Sequence, residues 1–120
     1  FDDRRSAAVA RLLGPELATS LGRRAVARWW LAAAAGVPHR RVRVPRTAVA
    51  LQVPASAGAL PVVSRRSVSY AHRLGLQVHV WTVNEAAEMH RLLDLGVDGL
   101  ISDRADTLSQ VLTSRATRTA

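Results

Sequence analysis

A chain of 120 residues, 48% hydrophobic and 22% charged, has the apolar material for one core and lacks the low-hydrophobicity, high-charge composition of a disordered chain. With no cysteine it has no disulfide framework, no thiolate nucleophile and no cysteine metal site. The formal charge of +8 comes from arginine alone: all 17 basic residues are Arg, scattered with no aromatic platform among them, which fits GC-rich coding better than a nucleic-acid site.

No apolar run reaches the roughly 20 residues needed to span a bilayer, and the Ala-rich stretch 29–37 falls far short. No transmembrane segment is therefore expected, and the chain is read as cytoplasmic. It opens on Phe1 rather than Met, with no signal-peptide pattern, and is read as lacking its true start.

Asp2 and Asp3 can cap a helix running to Leu13, where Gly14-Pro15 stops it. Its apolar positions Ala8, Val9, Leu12 and Leu13 have helical spacing and predict a helix lying on a sheet. Residues 17–21 predict a short strand. Residues 23–35 predict a second helix, ended by Gly36 with Pro38 beyond it. Trp29 and Trp30, about 100° apart on that helix, predict one indole in the core and one at a surface.

Residues 37–46, with Pro38, Pro45 and several arginines, predict an exposed connection. Residues 48–53 predict a buried strand closed by Pro54, 55–58 a loop, and 60–63 a short apolar return. Ser64 is placed to cap a helix over 65–74, with Gly75 as its left-handed end. Residues 77–103 then read as strand, helix, strand, which makes a parallel βαβ crossover.

In the first strand of that unit alternation puts His79, Trp81 and Val83 on one face and Val78, Val80 and Thr82 on the other. Asn84 is expected to close the strand and cap the next helix. Glu85 and Glu88 lie in its first turn, and Ala86, Met89, Leu92 and Leu93 form its buried stripe. Gly96 ends it, a last strand runs to Asp103, and Leu108, Val111 and Leu112 make a short final helix. The fold class is α/β with about four parallel βα units, half of the eight that a barrel of roughly 250 residues requires. Residues 1–113 form the expected domain and 114–120 a disordered tail.

Residues 80–84, Val-Trp-Thr-Val-Asn, followed by Glu88-Met89, Leu92-Leu93, the run Gly-Val-Asp-Gly-Leu-Ile-Ser-Asp-Arg at 96–104 and Leu108, resemble the C-terminal signature of the glycerophosphodiester phosphodiesterase family. The likeness continues upstream through Ala-Leu-Gln-Val-Pro at 50–54, Pro-Val-Val at 61–63 and the stretch 71–79. Phe1-Asp2 resembles the end of the family's Ser-Phe strand. The resemblance implies the C-terminal half of a TIM-type (β/α)8 barrel in lipid metabolism, whose whole domain hydrolyses glycerophosphodiesters to glycerol 3-phosphate and an alcohol.

In that family a divalent cation, calcium or magnesium, neutralises phosphate charge, and two histidines serve as general acid and base. The resemblance implies that these groups sit in the N-terminal half, beginning with a His-Arg-Gly. Here His39, His72 and His90 each precede an arginine, but no glycine follows, and no catalytic role passes to them. No carboxylate among Asp98, Asp103 and Asp106 has metal-ligand spacing with a histidine, so no metal ligand is assigned.

Trp81 matches the family tryptophan that walls the glycerol site, with a barrel-core aromatic as the alternative. Phe1 is expected to form a second apolar wall. Asn84 and Asp103 read as capping and loop-fixing residues, and His79 as a hydrogen-bonded core residue. The chain alone is then expected to be inactive without its missing N-terminal half-barrel. The rival reading is a non-enzymatic half-barrel that self-associates through open sheet edges. A third, an arginine-driven nucleic-acid binder, would give a sequence-dependent gel shift that survives physiological salt.

Overall fold

The computed structural model describes residues 3–14 and 18–119. Four βα units follow one another. Strand β1 (Thr19–Ser20) leads to α2 (Arg23–Ala35), β2 (Ala48–Val53) to α3 (Arg65–Arg73), β5 (Gln77–Val80) to α4 (Ala86–Asp94), and β6 (Gly99–Leu100) to α5 (Ala105–Thr119). Helix α1 (Asp3–Leu13) precedes them, and a small antiparallel hairpin, β3 (Ser56–Ala57) with β4 (Leu60–Pro61), is inserted after β2.

The strands pair in the order β1-β2-β5-β6, all parallel. Each main strand neighbours the next in sequence, with a helical crossover between, as in successive units of a (β/α)8 barrel. The sheet is that of a partial barrel.

One face of the sheet is the core. Leu51 and Val53 of β2 and Val78 and Val80 of β5 are completely buried, and they join Trp29 and Ala33 of α2, Val68 and Ala71 of α3, Met89 and Leu92 of α4 and Val111 of α5 in one apolar cluster. Period-2 alternation puts Gln52 and His79, cross-strand partners, on the opposite, half-buried face. In a closed barrel this second face is the interior.

Helix ends follow local signals. Ser64 Oγ accepts from the Ser67 amide at 3.2 Å while Ser67 Oγ accepts from the Ser64 amide at 2.9 Å, a reciprocal capping box. Ser67 Oγ also donates to the Val62 carbonyl at 3.0 Å, which ties the hairpin's exit to α3. At the far end Gly75 adopts φ +74°, and the Leu76 amide returns to the Ala71 carbonyl at 3.0 Å. This left-handed cap aims the chain straight into β5.

The amino end of the sheet carries a lock. Asp98 Oδ2 accepts from the Val78 amide and lies 2.8 Å from His72 Nε2, and the Asp98 amide donates to the Val78 carbonyl at 2.9 Å. Partial burial pushes the Asp98 carboxyl up, but the bonds from Val78 and His72 outweigh it and hold the group below its ordinary value. A depressed carboxyl stabilises the fold above its unfolded pKa and loses that contribution as pH falls through the folded value. Asp98→Ala is expected to cost about 1–2 kcal/mol near neutral pH, the charged-bond value reduced for partial exposure. The deficit should shrink in acid, as urea titrations at two pH values would read.

Several expectations are corrected. The α1 helix is present, but its apolar stripe does not lie on a sheet: Leu12 is 83% exposed and Leu13 68%. Helix α1 rests on α2, and no strand among the described residues lies beyond β1 for it to cover. Asp3 lies inside the first turn, and Asp2 lies outside the described residues. Ala86 is exposed, since α4 buries Met89 and Leu92 and half-buries Leu93. The apolar return at 60–63 is an exposed hairpin strand followed by buried Val62 and Val63. Helix α5 runs to Thr119, into the stretch from residue 114 expected as a tail, where Arg115 pairs with Asp94 at 2.8 Å.

Candidate functional site

The carboxyl ends of parallel strands, where loops replace the ladder, are where α/β folds place their ligands. At this end of the sheet a pocket of about 520 Å³ opens between the start of α2, the end of β2, the hairpin and the end of β5. Its wall is mostly apolar. Leu21, Val26 and Trp30 come from the β1–α2 side, Pro54, Ala57, Leu60 and Val62 from the β2–α3 connection, and Trp81 from the residue just past β5, with Arg23 and Gln52 as its polar members.

Trp81 reaches this pocket because its backbone is fixed there. Its amide donates to the Val53 carbonyl at 3.1 Å, which extends the β2–β5 ladder by one bond. Beyond it the pairing changes sides: the Val83 amide donates to the Ile101 carbonyl of the β6 exit at 3.0 Å. The expected alternation over 78–83 therefore breaks after Val80, and the Trp81–Thr82 peptide is cis. Trp81 is 38% exposed, Thr82 is exposed and Val83 is buried. The indole does not belong to the apolar cluster behind the sheet.

The two adjacent tryptophans separate as their spacing predicts. Trp29 is 1% exposed in the core, whereas Trp30 is half-buried and lines the pocket. Gly58, at the first central position of the hairpin turn, has φ +61°, the sign a type II′ turn needs there. That turn presents Leu60, 57% exposed, on the pocket's rim.

Asn84 is the keystone of the neighbouring loops. Its Oδ1 accepts from Ser102 Oγ at 3.1 Å and from the Asp103 amide at 3.0 Å, and its Nδ2 donates to Asp103 Oδ2 at 3.4 Å. It therefore cannot cap α4 as expected. Glu85 takes the N-cap position with no side-chain cap bond. Asn84 and Asp103 fix two loops to each other, beside the strand end that carries Trp81. Asn84→Ala should open this latch at a cost of about 1 kcal/mol, and hydrogen exchange at the Asp103 amide should accelerate while core amides stay protected.

The remaining candidates are dispersed. His79 is half-buried rather than a core residue. Its Nε2 lies 3.2 Å from Gln77 Oε1 and its ring lies across Gly99, where a Cβ would stand 2.8 Å from His79 Cδ2. His72 belongs to the amino-end lock, His39 is exposed in a short turn, and His90 lies near Arg115. Phe1 lies outside the described residues.

Among the described residues no group of three or more His, Cys, Asp or Glu could hold a metal ion. At the mouth Asp103 is engaged by Asn84 and Asp106 by Arg104, whose guanidinium holds the Asp106 carboxyl below its ordinary value. These residues do not make a seat for a divalent cation.

Sequence reasoning did not single out Arg23, Gln52 and Leu60 as site residues. Gln52 carried a signal, being the one polar side chain in an otherwise apolar strand. Arg23 and Leu60 carried none, since only the fold brings them to the end of β5.

A family model for the glycerophosphoryl diester phosphodiesterase family matches residues 18–107, the span that runs from β1 to the start of α5 and holds the mouth. The chain belongs to that family. It is 41% identical over 115 residues to a probable glycerophosphodiester phosphodiesterase 2 of Mycobacterium tuberculosis, an alignment covering 96% of this chain and 44% of the relative. The chain thus spans less than half the length of the curated relative it matches. Among the described residues, no helix of this family member is long and apolar enough to cross a membrane.

Proposed function

We propose that the protein carrying this chain is a glycerophosphodiester phosphodiesterase of lipid metabolism, acting in the cytoplasm, and that this chain supplies the C-terminal half of its barrel and part of its substrate wall. The family match over residues 18–107, joined to a tryptophan-walled pocket at the carboxyl end of the sheet, supports the reading. Water adds to phosphorus, the phosphodiester bond to the head group breaks, and the alcohol leaves with a proton as glycerol 3-phosphate forms.

Trp81 walls the glycerol moiety, with Phe1 as a second wall, and this apolar cover keeps bulk water from one side of the substrate. The acid–base histidines and the carboxylates holding a calcium or magnesium ion would come from an N-terminal half-barrel. That half would pair along the open edges of β1 and β6. Incubating glycerophosphocholine with this chain alone, with added calcium or magnesium, should release no glycerol 3-phosphate, whereas the chain joined to a complementary half should. Hydrolysis by this chain alone would overturn the division of roles.

The self-association reading draws on the same two open edges. Strands β1 and β6 are each two residues long, a short ladder for a second copy to extend. A stable dimer in sedimentation that gives no hydrolysis with the complementary half would favour it.

A further inference from the structure

All nine carboxylates of the chain fall in residues 1–16 and 85–106, so residues 17–84 carry ten arginines and no Asp or Glu. GC-rich coding explains arginine in place of lysine, but Asp and Glu also have codons ending in C or G, so it does not empty one stretch of acid. The fold carries these arginines on a single outer sector made of α2, the connection 36–47 and α3, and all ten are exposed. Arg28 and Arg43 border one hollow, and Arg66 and Arg73 border another with His39. The basic surface therefore continues from α2 across the connection to α3.

Among the described residues no ion pair includes Arg40, Arg41, Arg43, Arg46, Arg65 or Arg66, whereas Arg91, Arg104 and Arg115 each hold a carboxylate. Like charges gathered without counterions repel one another, and an anionic surface relieves that repulsion. The face is also anchored. Val42 and Val44 alternate with Arg41 and Arg43 and pack on the core cluster, so these guanidiniums stand on a fixed strap. On α2, Leu31 is 60% exposed and shares one face with Arg24, Arg28 and Ala35 by helical spacing. A nucleic acid would call for stacking aromatics among the arginines and would leave Leu31 in water. The interface of an anionic bilayer takes both residue types, with lipid phosphates for the arginines and the acyl boundary for the leucine. We infer that the face built by α2, the connection 36–47 and α3 docks the protein on an anionic phospholipid bilayer. The contact is peripheral, and it stands independently of the phosphodiesterase reading.

The test is co-sedimentation of the protein carrying this chain with vesicles of phosphatidylcholine alone and of phosphatidylcholine mixed with phosphatidylglycerol. Binding should require the anionic lipid and should be lost as salt rises from about 0.05 M to about 0.5 M. Each arginine at the surface tightens partition about fivefold, so replacing Arg41, Arg43 and Arg46 together by Gln should weaken it about 100-fold. Replacing the paired Arg91, Arg104 and Arg115 by Gln removes the same charge from elsewhere and should weaken it less than about fivefold. Circular dichroism should show both triple variants folded. Leu31→Ser, which leaves the charge unchanged, should weaken partition at least about threefold. Absence of vesicle binding, equal binding to neutral vesicles, equal losses from the two triple variants or indifference to Leu31→Ser would each overturn the bilayer face. Tighter binding to random-sequence duplex DNA than to the anionic vesicles at about 0.15 M salt would also overturn it, by assigning the face to nucleic acid.

Discussion

Trp81→Ala is expected to lower kcat/KM for glycerophosphodiester hydrolysis about 10- to 70-fold in the protein carrying this chain while leaving its melting temperature nearly unchanged. The first part follows from area: an indole face that removes roughly 60–100 Å² of substrate and side chain from water contributes about 1.5–2.5 kcal/mol at 25 cal/mol per Å². The second follows from position. The side chain is 38% exposed and lies outside the apolar cluster, so its removal opens no core cavity. Its backbone bond to Val53 survives the substitution, since that bond needs no side chain. Trp81→Phe should recover most of the loss. A large drop in melting temperature with unchanged kinetics would mean that the indole is a packing residue, the barrel-core alternative.

Leu51→Ala has the opposite signature. Leu51 is completely buried on β2, the strand that bridges β1 and β5, and its side chain faces the helices. Emptying such a site loses both transfer free energy and packing contacts, for about 2–5 kcal/mol. Against the total of about 5–15 kcal/mol typical of a folded domain, that is a large fraction. Urea denaturation should show the midpoint falling with the slope retained. A change under about 1 kcal/mol would mean that β2 is not central to the folded core.

These two residues mark what the sequence could and could not convey. Helix α2 and strand β2 begin and end at the predicted residues, because Gly36 and Pro54 act through their own backbones and need no distant partner. Gly75 and Gly96 likewise end α3 and α4 where expected. The failures at Asn84, Leu60 and α1's apolar stripe involve distance along the chain. An asparagine after a strand suits a helix cap and a loop latch equally, and residues 18 and 19 positions further on decided that Asn84 latches. Leu60 is an apolar residue whose exposure depends on a hairpin of two residue pairs, too short to produce a periodic pattern. The exposed stripe of α1 has good helical spacing, but spacing shows which residues share a face and not what covers it.

The family and the parallel order were legible in residues 77–103, because a βαβ unit is local and its turns carry glycine. The pocket was legible only at Trp81. Its other lining residues come from segments whose proximity is created by the pairing of β1, β2 and β5.

The Asp98 lock sits at the amino end of the sheet and the mouth at the carboxyl end, with the apolar cluster along the face between them. Substitutions at Leu60, Trp30 or Trp81 therefore alter the lining of the mouth, and substitutions at Asp98 or Leu51 bear on whether the chain stays folded. The hairpin can lengthen, shorten or change its rim without touching the strand that anchors it. A lineage of such proteins can vary the mouth by trial and error in one loop, each trial starting from a frame that still folds.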